Sequence, residues 1–299
     1  MPIDIASYRR WEGRARPTPF SALAIATTMV RRRMRLRLVR WIVGGFTVVP
    51  CVFAMLAFYA SLQGEGPIDR STVDRLGLAD VNMLGILNFL FDQMAGFFAM
   101  LFAALVAAPL IAEDRRAHAL PLYFSRPIGH IEYIVGKAAS AAFFLALLLV
   151  LPRVCMYLVE VGFSETDGTA MRQMPTFLAS CATGAIGVVL VTSIGLGVSS
   201  LTERPTYAAL TLLGVGVIMA GLSFHLALAL GKPSLLALSP YACVQRIGME
   251  LMVIPEALRA EMNALSVMPI RAAWTGVSIW TALSLGVLVL RVRRVEVVT

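Results

Sequence analysis

The chain predicts an all-α polytopic membrane protein, and three observations carry that prediction. Of its 299 residues, 58% are hydrophobic and only 15% charged, with a mean hydropathy of +0.77; soluble domains carry about 25% charged residues. Apolar stretches of roughly 20 residues, the length that crosses about 30 Å of hydrocarbon, recur along the chain. The formal net charge of +8 is confined to one end: residues 1–40 hold ten arginines against Asp4 and Glu12, and the remainder balances.

The first element expected is a helix in "FSALAIATTMVRRRMRLRLVR", residues 20–40. Phe20, Leu23, Ala26/Thr27 and Val30 form an apolar stripe, and Arg31, Arg32, Arg33, Arg35, Arg37 and Arg40 follow it. Such a helix lies in the membrane interface with its arginines reaching lipid phosphates. It is either a plain positive-inside anchor or an elbow that leads into the first span and braces a neighbour. Six spans are expected next: Trp41–Leu62, Gln93–Ala112, Ala138–Val159, Thr176–Leu201, Thr206–Leu230 and Ala272–Leu290. Pro50, Pro109 and Pro152 can kink the first three. Gly184, Gly187, Gly195 and Gly197 in the fourth, and Gly214, Gly216 and Gly221 in the fifth, give small faces for close helix packing, inside one subunit or across a dimer. Between the last two spans, Pro240, Pro255 and Pro269 cut residues 231–271 into pieces too short to cross. Short helices dipping into the outer leaflet or capping the bundle fit there, as does a solvated loop.

An even number of spans puts both termini on one side. Residues 1–40, 113–137, 202–205 and 291–299 then share a side with 18 Lys/Arg, against seven on the other, so both termini are expected in the cytoplasm. The chain divides into a basic segment (1–40), a six-span domain (41–291) and a short cytoplasmic tail (292–299). The high pI belongs to a segment facing lipid headgroups, so the bilayer and not nucleic acid is the expected partner.

Most enzymatic chemistry lacks its residues. The Gly-Lys pairs Gly136-Lys137 and Gly231-Lys232 have neither the upstream glycine nor the following Ser/Thr of a phosphate-cradling loop, so ATP is not bound by that route. There is no HExxH, and the three histidines lack obvious nucleophile partners. No metal or other cofactor is expected on this chain. Cys51, Cys155, Cys181 and Cys243 are scattered without paired spacing and read as small hydrophobes. Asp92, Arg153 and His225 are the ionisable residues in or beside spans that merit a pathway or packing role, with Glu160 at the end of the third span. All but Arg153 are placed where they can reach an interface.

The remaining polar feature is "EDRRAHALPLYFSRPIGHIEYIVGK", residues 113–137, between the second and third spans. Glu113, Asp114, Arg115 and Arg116 follow the span at once, and Pro121 stops any helix. Ser125 is positioned to cap a new helix with Pro127 in its first turn. Ile128, Ile131 and Ile134/Val135 make one face, with Glu132 and Lys137 on the polar side. A charged elbow joined to an amphipathic helix would pass a push from a cytoplasmic partner into the membrane.

These residues resemble the membrane subunits of type-2 ATP-binding-cassette (ABC-2) transporters. The acidic-basic cluster, Leu120/Leu122, Ser125-Arg126-Pro127-Ile128, Glu132 and Gly136-Lys137 are similar to that family's coupling region. "YRRWEG" (Tyr8–Gly13), the six-span layout and "LSP" (Leu238–Pro240) after the fifth span also resemble it. Where the family often has Gly-Thr after the cluster, this chain has Ala117-His118-Ala119. The resemblance implies a permease, not an enzyme and without a nucleotide-binding site of its own, whose 113–137 loop receives a separate ATPase subunit. ATP and Mg would act through that partner, and a second permease subunit, identical or not, would complete an exporter in a bacterial cytoplasmic (inner) membrane. Two other classes stay open: an anchor or assembly factor that recruits an ATPase complex without transport, and a membrane enzyme with an unrecognised site. The first predicts ATPase binding without substrate-stimulated turnover; the second predicts sensitivity at His225 or Arg153.

Overall fold

Proline decides where the long apolar rods of this chain bend. A computed structural model describes residues 18–62, 83–120, 123, 129–163, 168–252, 265 and 267–293. Every regular element among them is helical: α1 (Thr18–Met34), α2 (Arg37–Leu62), α3 (Met83–Val106), α4 (Pro109–Arg116), α5 (His130–Leu149), α6 (Leu151–Phe163), α7 (Thr169–Leu201), α8 (Pro205–Leu230), a 3-10 segment (Pro233–Leu238), α9 (Pro240–Leu251) and α10 (Ile270–Arg293). Pro109 and Pro152 each interrupt a rod, because proline has no N–H and crowds the preceding turn. At the first break the Ala108 N–H reaches back to Ala103 O at 2.9 Å, and α4 resumes with Pro109 in its first turn. At the second, α5 ends at Leu149 and α6 starts with Leu151-Pro152. Pro50 lies within α2.

Among the described residues five helical rods are long and apolar enough to cross a membrane: Leu84–Arg116, His130–Phe163, Thr169–Leu201, Pro205–Leu230 and Ile270–Val292. The first expected span falls on α2, a helix of 26 residues. Two boundaries differ from the sequence reading. The rod at the second expected span starts well before Gln93, so Asp92 sits inside it. The amphipathic piece after Gly129 is not a separate helix, because nothing between His130 and Ala138 breaks the run and α5 continues straight into the third span.

The central helix is α7, which packs against α3, α5, α9 and α10. Its small residues make this possible: a Cβ on Gly195 would lie 2.9 Å from the Ala107 methyl, and one on Gly197 would lie 3.0 Å from Ser284 O. The fourth-span glycines therefore serve close packing inside the subunit. In the outer segment, Pro240 takes the first turn of α9 and Ser239 caps it, accepting from Ala242 N at 3.3 Å. Twelve residues span about 18 Å, too short to cross. Residues Ala242, Cys243, Val244 and Ile247 of α9 are buried, and the helix packs on α7, α10 and α3. For 233–251, packed short helices replace the alternative of a solvated loop. Tyr8–Gly13, Pro121, Leu122, Ser125, Arg126, Pro127, Ile128, Pro255 and the tail after Arg293 lie outside the described residues.

Candidate functional site

The acidic-basic elbow is built on α4. At the Pro109 break Leu110 N still bonds to Ala107 O at 3.1 Å, and the next N–H groups of α4 take a partner from another helix. Ser199 of α7 supplies one: its hydroxyl accepts from Ile111 N at 3.0 Å and Ala112 N at 3.1 Å, and donates to Ala108 O. The other end of α4 closes in a Schellman motif, with Ala119 N bonded to Asp114 O at 2.9 Å and His118 N to Arg115 O at 3.1 Å. His118 takes the left-handed position of that motif (φ 50°), where glycine is the unstrained choice. The sequence departs from the glycine-containing family pattern at this turn, yet the turn is made.

Each charge of the cluster points to a different element. Glu113 accepts from Arg33 of α1 at 2.8 Å, with Arg32 at 3.9 Å. Asp114 accepts from Tyr133 Oη and pairs with Lys137 Nζ, both at 2.7 Å. Lys137 also donates to Leu110 O at 2.9 Å. Arg115 donates to Ser200 O and lies 3.4 Å from Glu203. Arg116 is exposed. The cluster thus ties α4 to α1, to α5 and to the end of α7.

Two expectations about this region need correction. Lys137, assigned to the polar side, is 1% exposed, because Asp114 and the Leu110 carbonyl neutralise and solvate it inside the bundle. Ile131 and Val135 face outward instead, since the side of α5 that carries Tyr133, Gly136 and Lys137 is the one that packs. Gly136 is required there: a Cβ would lie 2.9 Å from both Ala22 O and Ile25 Cβ of α1. Glu132 sits in the first turn of α5, where a carboxylate is favoured by the helix dipole. Of the N-terminal arginines, Arg33 turns inward while Arg31, Arg32, Arg35, Arg37 and Arg40 are exposed.

The intramembrane residues form a second centre. Asp92 does not reach an interface; it is buried and paired with Arg153. Arg153 Nε donates to Leu149 O at 2.7 Å, just ahead of the Pro152 break, and Nη1 donates to Ser180 O at 2.9 Å. The guanidinium also lies over the Phe91 ring, 5.5 Å from its centroid. Gly184 leaves room for it, as a Cβ there would be 3.0 Å from Arg153 Nε. The pair joins α3, α6 and α7 through charge-assisted hydrogen bonds, satisfying the donors that a buried guanidinium must place. Beside it Gln245 of α9 donates to Gln93 Oε1 at 2.8 Å. Glu160 is buried as well, whereas His225 is exposed on α8, edge-on to Phe224. Among the described residues no group of His, Cys, Asp and Glu could hold a metal ion.

Sequence reasoning located the charges of both centres but missed the groups that complete them: Tyr133, Ser199, Ser200 and Glu203. Tyr133 stands four residues before Lys137, on the same helix face, so that pairing had a signal in the sequence. Ser199 lies in "GLGVSSL" and has no local partner pattern that would mark it.

A family model described as ABC-2 family transporter protein matches residues 23–287. No curated protein matches the sequence.

Proposed function

Since the chain belongs to the ABC-2 family of transporter proteins, we propose that it is the permease subunit of an exporter, driven by an ATPase on a separate chain. In this reading α2 is the first of six spans and α1 is an interfacial helix. Both termini face the cytoplasm of a bacterial inner membrane, and a second permease subunit completes the path. The observation that carries it is the convergence at the elbow: Glu113, Asp114 and Arg115 bind one short helix to α1, α5 and α7 at once. A load applied to α4 would therefore reach three rods together, which is what coupling to a motor demands. ATP and Mg are bound by that motor.

The arginines divide the labour. Arg115 holds α4 to the end of α7, while exposed Arg116 faces the partner. Affinity purification of the full chain in mild detergent tests this. A stoichiometric ATPase should accompany the wild type and be lost with Arg116→Glu, the variant eluting as a folded protein. Retention of the ATPase and of substrate-stimulated turnover by Arg116→Glu would remove that residue from the interface. An intact chain with no ATPase at all would overturn the coupling proposal.

A further inference from the structure

Between α2 and α3 the bundle leaves a cleft of about 770 Å³. It exists because α2 leans on α6 and scarcely touches α3. Trp41, Gly45 and Val49 line one wall, Leu90, Met94 and Leu101 the other, and among the described residues Gln93 is the single polar lining residue. The volume and the lining are those of a binding pocket for an apolar molecule. The α3 wall runs from Leu87 to Phe102, about 22 Å at 1.5 Å per residue, so the cleft suits an extended chain.

One mouth carries charge. Positions 37, 41, 45 and 49 follow one another at four-residue spacing on α2, so Arg37 continues the stripe that lines the cleft one turn beyond Trp41. Arg40 adjoins Trp41, and both arginines are exposed. The cleft is therefore apolar along its length and cationic at one end. A second copy of the chain seated on it symmetrically would bring its own arginine-rich end of α2 to the same level, an unfavourable pairing.

We propose that this cleft binds one anionic phospholipid, its phosphate between Arg37 and Arg40 and an acyl chain laid along α3. In the orientation proposed above the lipid comes from the inner leaflet. The site needs no ATPase, so it stands or falls apart from the coupling proposal.

The test is native mass spectrometry of the full chain in mild detergent, titrated with phosphatidylglycerol or phosphatidylcholine of identical acyl chains. The wild type should retain one phosphatidylglycerol with a preference on the order of tenfold, the scale expected for two arginines at an anionic headgroup. Gly45→Phe should abolish that retention; Gly45 lines the cleft and, among the described residues, no atom lies within 4 Å of a Cβ there, so the added side chain starts in open space. Arg37→Gln with Arg40→Gln should keep lipid binding and erase the headgroup preference, giving a second readout independent of the plug. Equal retention of both lipids by the wild type, or a preference that survives Gly45→Phe, overturns the proposal. So does a dimer that Gly45→Phe converts to monomer with lipid retention unchanged, since the occupant is then a second copy.

Discussion

Removing Arg153 should destabilise this protein more than removing almost any other surface-independent side chain, and the geometry sets the size. Arg153→Leu keeps most of the side-chain volume but strands Asp92, whose side chain is 6% exposed and, among the described residues, has no other cation within salt-bridge distance. Breaking a buried ion pair from one side costs about 3–5 kcal/mol, because the remaining charge is left desolvated. The carbonyls of Leu149 and Ser180 also lose the donors they now have. At roughly 2 °C of melting temperature per kcal/mol for a chain of this size, the loss is about 6–10 °C. A thiol-reactive dye follows unfolding directly, since Cys243 is buried and the other three cysteines are half-buried and free. The companion variant, Asp92→Leu with Arg153→Leu, replaces both charges by apolar volume, and such replacements are near neutral. It should melt well above Arg153→Leu alone. An Arg153→Leu protein within about 1 °C of wild type, or a double variant whose loss equals the sum of the two singles, would refute the reasoning.

Other variants probe the elbow. Ser199→Ala leaves the Ile111 and Ala112 N–H groups without their acceptor and should lower stability by about 1–3 kcal/mol, read by the same melt. Gly136→Val drives a side chain into Ala22 O and Ile25, so α1 should lift and trypsin should cut at Arg31–Arg35 faster than in wild type; an unchanged cleavage rate would show that α1 is held otherwise. His118→Gly removes a left-handed non-glycine residue and should stabilise by about 0.5–1 kcal/mol, whereas His118→Ala should not.

What the sequence determined by itself was local. Apolar runs of membrane-crossing length, the bends at Pro109 and Pro152, the short outer pieces opened by Pro240 and the use of the fourth-span glycines for close packing follow from residue type and short-range spacing, and the structure has them. The tertiary structure alone decided which charges meet. Lys137 reads as a solvated residue until Asp114, on another helix, is brought to 2.7 Å from it. Asp92 reads as reaching an interface until α3 is seen to begin at Met83 and to carry it to Arg153. The outward face of Ile131 and Val135 has the same origin. An apolar stripe marks the buried side of a helix when the surroundings are water. In a membrane, where lipid is as apolar as leucine, the buried side of α5 is the one with glycine, tyrosine and lysine.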